Sequence, residues 1–474
     1  MEMETGMGAQ ALLLLPEIVL LLGALGVLLS GSFLPRRRLG WTRAATLLAL
    51  AASAATTASG LGGPTRSVFD DTYAVDTATG AARLIAVGAA ALIVILAGDE
   101  LAGHARQAET CCLLLLGTLG TIVLAGAQDL LIVITGFLLA SVPLYALVGL
   151  TRTVQAAEAT MKTYLFGSMF GIVLMLGVTV LYGVGRSTRY VDLAAALPGA
   201  PHGALVLGAV AVLGGLMFKA GAVPGHFWVP DATQASSAFA ATYLTTIPKI
   251  GALVAAYRLV LVLPGAAQAP LLVGLLAVTS MTLGNLAAFT QSDPRRLLGW
   301  STVSQIGYLL VPVAVAGRSD LALPGMLVYL AGYAVTNIAA FAVVAALPER
   351  RSLSDYTGLF RRRPWLAGAL TVSLLGLVGT PPTAVFVGKL AVATAAWDGG
   401  AAWLAVAVLL NSVVSLFYYL RWMAPMIRGD ASDAPEVASG VSAYRSALLA
   451  ASLSLAVGVL TAALWRLFGG PDAG

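Results

Sequence analysis

The chain has 474 residues, of which 59% are hydrophobic and only 10% carry charge. Stretches of roughly 17–25 apolar residues recur along it, which excludes a water-soluble globule and marks a polytopic helical membrane protein. The net charge of +5 rests mostly on arginines between those stretches, which argues for cytoplasmic loops in contact with a lipid bilayer and against a nucleic-acid partner.

Fourteen stretches qualify as spans. The first seven are 11–29, 44–59, 81–97, 111–127, 130–150, 161–184 and 204–224. The others are 235–263, 271–290, 297–316, 323–347, 366–397, 401–426 and 443–468. The opening MEMETGMGAQ is acidic and no small-residue cleavage site follows the first run, so 11–29 reads as a retained span and not a leader. Cys111 and Cys112 are adjacent and open the fourth span; they make no metal or iron–sulfur set alone and read as packing residues.

Arginines set the expected orientation. Sixteen, among them Arg36 to Arg38, Arg295, Arg296 and Arg361 to Arg363, fall in odd-numbered connections. Seven, including Arg66, Arg83, Arg186 and Arg258, fall in even-numbered connections, at nearby span ends or in the C-terminal tail. The positive-inside rule places the odd connections in the cytoplasm and both termini outside.

Lysine has the reverse distribution. The chain holds four, Lys162, Lys219, Lys249 and Lys389, each within or at the edge of an apolar run. An ammonium in hydrocarbon costs roughly 2.5–3.5 kcal/mol on insertion scales. Burial also loosens the lysine proton, which an arginine would keep. Four such lysines read as a proton-handling device. Lys162, just inside its span, could instead reach the headgroups. No Asp or Glu falls at the centre of any span, so neutral lysines, water or a neighbouring subunit must answer for the missing counter-charge.

Two spans carry breaks. The seventh ends in FKAGAVPGHFWVPDA, with Pro224 and Pro230; the twelfth contains GLVGTPPTAVFVGK, with Pro381 and Pro382 after Gly379. Proline removes a backbone donor and clashes with the preceding turn. Such backbone is tolerated at membrane depth only where protein or a water-lined cavity satisfies it. Breaks five spans apart, an odd offset, point to inverted repeats around a translocation site. His226, inside the first break, is either a proton relay or a structural hydrogen-bonder. His104 and His202 lie in connections. No phosphate loop, cysteine cluster or His/carboxylate metal spacing occurs.

Several of these segments resemble one family. LLPEIVLLLGALGVLL, AETCCLLLLGTLGTIVLAGAQDLL, SVPLYALVGL, EATMKTYLFGS, MFKAGAVPGHFWVPDA, RRLLGWSTVSQIGYLL, YLAGYAVTNIAAFAVV and GTPPTAVFVGKL occur in the order seen in the antiporter-like membrane subunits of respiratory complex I, most closely the subunit N family. The resemblance implies an all-α fold of about 14 helices with two inverted five-helix repeats. It divides the chain into 1–105, 106–265 (spans four to eight), 266–430 (spans nine to thirteen) and 431–474. It implies proton translocation along Lys162, Lys219, Lys249 and Lys389 in a bacterial cell membrane. It places NADH, FMN, iron–sulfur clusters and quinone in partner subunits, membrane and peripheral, and none in this chain.

The family's fifth span normally holds a glutamate that pairs with the broken-helix lysine; here GFLLASVPLY aligns without a gap and Leu138 stands in its place. Asp129, nine residues earlier, is about 13 Å away along a helix and is no simple substitute. Gln305 stands where a histidine is common. Two further readings therefore stay open: a non-pumping scaffold paralogue, and a Na⁺/H⁺ antiporter-type module.

Overall fold

The computed structural model describes residues 7–428 and 440–471. The first part of the acidic N-terminus and the 430/431 boundary lie outside the described residues.

The chain opens with α1 (Met7–Leu13), α2 (Leu15–Phe33), α3 (Gly40–Ala58), α4 (Thr77–Leu96), α5 (Gly98–Leu101), α6 (Gln107–Gly126) and α7 (Leu130–Val148). It continues through α8 (Val154–Gly185), α9 (Tyr190–Ala196), α10 (His202–Ala220), α11 (Trp228–Ala235), α12 (Ala238–Val262), α13 (Ala269–Phe289) and α14 (Pro294–Ala314). The last part holds α15 (Ala322–Ala346), α16 (Leu359–Arg362), α17 (Pro364–Val378), α18 (Ala384–Asp398), α19 (Ala402–Ile427), α20 (Val441–Val459) and α21 (Thr461–Leu467). Twelve of the described helices are long and apolar enough to cross a membrane. The second expected span is α3, rich in Ala and Thr, and the twelfth is divided into α17 and α18. Among the described residues the strands are those of one antiparallel hairpin, β1 (Arg66–Val68) and β2 (Tyr73–Val75).

Polar residues start the helices where the apolar runs begin. The Asp76 and Asp129 carboxylates accept from Thr79 N and Leu131 N, and Thr153 and Ser237 cap α8 and α12 in the same way. Asp293 accepts from both Arg295 N and Arg296 N, with Pro294 at the first helical position. Glycine ends the helices that break. Gly221 (φ 81°) closes α10 and Gly379 (φ 89°) closes α17, each in the left-handed region that a side chain disfavours.

Several boundaries differ from the sequence reading. The sixth span begins earlier, at Val154, because the Thr153 cap lets a polar first turn join the apolar run. Lys162 therefore sits two turns into α8 instead of at its start. The seventh span stops at Ala220, before Pro224, and resumes as α11. The fourteenth is interrupted between Val459 and Thr461. Pro248, by contrast, lies inside the continuous α12.

The bundle reverses the arrangement of a soluble protein. Exposed leucines and aromatics clothe α2, α8 and α19, among them Leu22, Leu29, Ile172, Leu176, Leu410 and Phe417. The axis is formed by α12, α14 and α15, whose spanning windows are 89%, 94% and 89% buried. These three carry the threonines, tyrosines and amides of the interior: Thr245, Thr246, Thr302, Gln305, Tyr329, Tyr333 and Asn337 are all buried. Cys111 and Cys112 are free, buried packing residues.

A second polar cluster ties the hairpin to the bundle. Arg83, expected near the start of the third span, is buried in α4, where it grips the Glu17 carboxylate of α2 with two bonds of 2.7 and 2.8 Å. Tyr73 of β2 donates to the same carboxylate at 2.7 Å. Arg258 of α12 reaches Asp76 Oδ1 at 2.7 Å and the Ala125 carbonyl at 2.8 Å. Burial raises the proton affinity of the Asp76 carboxyl, but the Arg258 guanidinium and the Thr79 amide together hold it below the usual carboxylate value.

Candidate functional site: three buried lysines at two broken helices

Each break in the backbone cradles a lysine. A Cβ added at Gly221 would lie 3.1 Å from Lys249 Nζ, and one at Gly379 would lie 2.9 Å from Lys389 Cδ. Both glycines thus serve twice: the turn needs their positive φ, and the lysine needs their empty side. Lys249 comes from the next long helix, α12, whereas Lys389 comes from α18, the second half of its own broken span.

The chemistry around Lys389 follows from the two prolines. In an α-helix the carbonyls of Leu377 and Val378 would bond to the amides of residues 381 and 382. Both of those are proline and have no N–H. The two carbonyls so released accept from the Lys389 ammonium at 3.2 and 2.8 Å. They lie at the C-terminal end of α17, where the helix dipole favours a cation. The ring of Tyr308 lies 4.1 Å below the same nitrogen. Leaving either carbonyl bare would cost about 1–3 kcal/mol, so the break and the lysine stabilise each other.

Lys219, in the last turn of α10, donates to the Ser141 hydroxyl of α7 and lies 4.7 Å over the Phe137 ring. Phe137 and Ser141 are four residues apart and share one face of α7. Leu138 falls off that face and is 41% exposed. The acceptor presented to Lys219 is therefore a hydroxyl one turn beyond Leu138. Lys249 makes no hydrogen bond to any described protein atom; its ammonium lies 4.5 Å over the indole of Trp228. Trp228 in turn donates to the Phe218 carbonyl at 3.1 Å, next to Lys219. Lys219, Lys249 and Lys389 are 1%, 0% and 6% exposed. The interior thus meets them with a hydroxyl, carbonyls and ring faces, and not with carboxylates.

Two separate hydrogen-bonded groups of hydroxyls and amides lie between Lys249 and Lys389, with no described hydrogen bond joining one to the other or reaching the Lys249 ammonium. One turn before Lys249, the Thr245 carbonyl accepts from Tyr333 at 2.8 Å, and the Tyr333 hydroxyl also bonds Thr302 at 3.2 Å. One turn along α14, Gln305 accepts from Tyr329 at 2.7 Å and donates to Leu377 O at 2.8 Å. That carbonyl is one of the two on Lys389.

Lys162 and His226 stand apart. The Lys162 side chain is 43% exposed and pairs with Glu158 at 2.7 Å and Asp231 at 3.1 Å. Asp231 also holds Arg296 at 2.7 Å, so one carboxylate links α8, α11 and α14 at a rim of the bundle. The His226 ring packs against Phe227 and Trp300, with centroids 5.5 and 5.6 Å away. No described hydrogen bond or ion pair joins it to a lysine. Pro224 lies in the first break, Pro230 inside α11, and Pro381 and Pro382 in the second break. Ser141, Trp228 and Tyr308 were not singled out from the sequence, because their roles depend on contacts between distant helices. The two released carbonyls could have been found from the Pro-Pro pair alone.

A many-helix bundle with two interrupted spans and three ammonium groups buried about its axis is an ion-translocating membrane subunit. The chain belongs to the family described as NADH:quinone oxidoreductase/Mrp antiporter, TM, which it matches over residues 127–415. It is 56% identical to the NADH-quinone oxidoreductase subunit N of Mycobacterium sp. (strain JLS), over 96% of this chain and 98% of that one. Among solved structures it is similar to a chain of respiratory complex I from Thermus thermophilus, with TM-score 0.82, 29% identity and coverage of 96% and 100%. A chain of the Mrp complex from Dietzia sp. shares the fold at TM-score 0.83 and 23% identity, with coverage of 97% and 96%.

Proposed function

We propose that this chain is the proton-translocating membrane subunit of an NADH-quinone oxidoreductase of the complex I type, and that Lys219, Lys249 and Lys389 carry its protons. The observation that supports this most is the placing of all three ammonium groups, almost fully buried, at or beside the two helix breaks. A lysine surrounded by neutral acceptors has no fixed anion to hold its proton, so it can alternate between charged and neutral forms. The two hydrogen-bonded groups around Tyr333 and around Gln305 supply polar stations between Lys249 and Lys389.

Redox chemistry, with NADH, FMN, iron–sulfur clusters and quinone, is assigned to partner subunits, and this chain to the coupled transfer of protons. Both termini are placed outside a bacterial cell membrane, on the arginine asymmetry. Spans four to eight and nine to thirteen are assigned to two inverted repeats within 106–265 and 266–430, flanked by 1–105 and 431–474. Lys162 is given a supporting role at the inner rim, through Asp231, and His226 a place in the break without a described hydrogen bond to a lysine.

Leu138 is the observation that favours a scaffold reading. Ser141 weighs against it, since Lys219 keeps a hydrogen-bond acceptor on the same helix. The test is proton pumping by the assembled complex in vesicles with Lys249→Ala. Loss of pumping with assembly intact supports translocation, and full pumping leaves the scaffold.

A further inference from the structure

The second break contains a group that the lysines alone do not explain. Gln305 is fully buried in α14, and its amide donates to Leu377 O at 2.8 Å, the carbonyl that Lys389 reaches at 3.2 Å. Its own oxygen accepts from the Tyr329 hydroxyl at 2.7 Å. The carbonyl fixes which end of the amide faces the break, because it can only accept, and the Tyr329 hydroxyl then donates to the amide oxygen left over. Gly388, one residue before Lys389, packs directly on the Tyr329 Cα, Cβ and Cγ, and the Tyr329 hydroxyl bonds Gln305, so α14, α15 and α18 meet at this point.

A carbonyl released by proline must stay bonded whatever the lysine is doing. Val378 O has Lys389 as its donor, and Leu377 O has two. When the ammonium gives up a proton it has one N–H fewer, and Leu377 O is the longer and weaker of its two contacts. Gln305 keeps that carbonyl in place through the change. By donating to it continuously, the amide also draws off part of the acceptor strength that would otherwise hold the cation.

We propose that Gln305 is a positioning residue for Lys389: it holds the Leu377 carbonyl and loosens the grip of the broken helix on the protonated lysine. This rests on the reading of Lys389 as a proton carrier. The ionisable side chains gathered here are phenols: Tyr308 from α14, Tyr329 and Tyr333 from α15, and Tyr418 and Tyr419 from α19, the last beside Gln305 and Ser301. From α17 come the two carbonyls, and α20 brings the Ser454 hydroxyl to Thr336. Phenols stay neutral across the working range of such a complex, so a change in pH dependence reports on the lysine.

The experiment compares wild type, Gln305→Leu, Tyr329→Phe and Lys389→Ala in the assembled complex in vesicles. Proton pumping and redox turnover are measured from acid to alkaline pH at matched subunit content. Gln305→Leu leaves Leu377 O to the lysine alone, so Lys389 holds its proton more tightly. Its pumping profile should move to higher pH by roughly one unit, with redox turnover retained. Tyr329→Phe keeps the ring but frees the amide to turn, and should shift the profile the same way by less. It also carries the test if Gln305→Leu fails to assemble. Unmoved or acid-shifted profiles, with pumping abolished by Lys389→Ala, would overturn the role of Gln305 and leave Lys389 as a carrier. Normal pumping by Lys389→Ala would overturn both.

Discussion

The ammonium of Lys249 lies 4.5 Å over the indole ring of Trp228, and that indole donates its N–H to the Phe218 carbonyl. One aromatic side chain therefore touches the charge of one lysine and the backbone beside another. A desolvated cation–π contact is worth about 2 kcal/mol. Trp228→Phe should retain much of it and lose the carbonyl bond, whereas Trp228→Leu should lose both. Initial rates of proton uptake by assembled complex should fall in the order wild type, Trp228→Phe, Trp228→Leu. Equal rates in all three would remove Trp228 from the site.

At the breaks, alanine should be badly tolerated. Gly221→Ala and Gly379→Ala each force a side chain into the left-handed region, at roughly 1–2 kcal/mol, and push it towards a lysine. Gly368 in α17 has open space where a Cβ would go and ordinary helical surroundings. Gly368→Ala is thus the control. Thermal release of the subunit from the purified complex should come earlier for the first two variants and unchanged or later for the control.

The ion cluster at the rim makes an asymmetric claim. Lys162→Ala removes one exposed arm of a pair and should cost little. Asp231→Ala leaves both Lys162 and Arg296 without the carboxylate between α8 and α14 and should cost more. Raising the salt should narrow the gap between the two variants, because screening weakens exposed pairs. A Lys162→Ala variant that assembled normally but stopped pumping would move Lys162 back among the carriers.

Acid should separate the hairpin from the bundle. Despite burial, the Arg258 guanidinium and the Thr79 amide hold the Asp76 carboxyl below the usual carboxylate value in the folded chain, so the pair contributes fully above that usual value and is lost as pH falls through the folded one. Asp76→Asn should lower thermal stability by about 3 kcal/mol or somewhat less near neutral pH, since the pair is not wholly buried. The difference from wild type should shrink in strong acid, where Asp76 is protonated anyway. A difference that widened in acid would contradict the pairing.

The spans, the two breaks and the three deep lysines were legible in the sequence because each violates a simple expectation. A charge in hydrocarbon and a proline within an apolar run stand out without any knowledge of neighbours. What the lysines touch was not legible. Ser141 is 78 residues from Lys219, and Asp231 is 69 residues from Lys162. The ion pair of Arg83 was hidden for the same reason: 66 residues separate it from Glu17, and without that partner it reads only as a charge near the start of the third span. The start of α8 was missed because a capped polar turn carries no apolar signal. The partners of Lys389 were an exception, since the Pro-Pro pair names the carbonyls it releases.

The central claim is that these lysines move protons without the usual fifth-span glutamate. It is tested most directly by the proton-to-electron ratio of the assembled complex carrying Lys219→Ala, compared with wild type at matched subunit content. A lower ratio with redox turnover still measurable is predicted, because Lys219 brings a buried charge against Ser141 and Phe137 on the helix that carries Leu138. An unchanged ratio would contradict it and make the chain a scaffold.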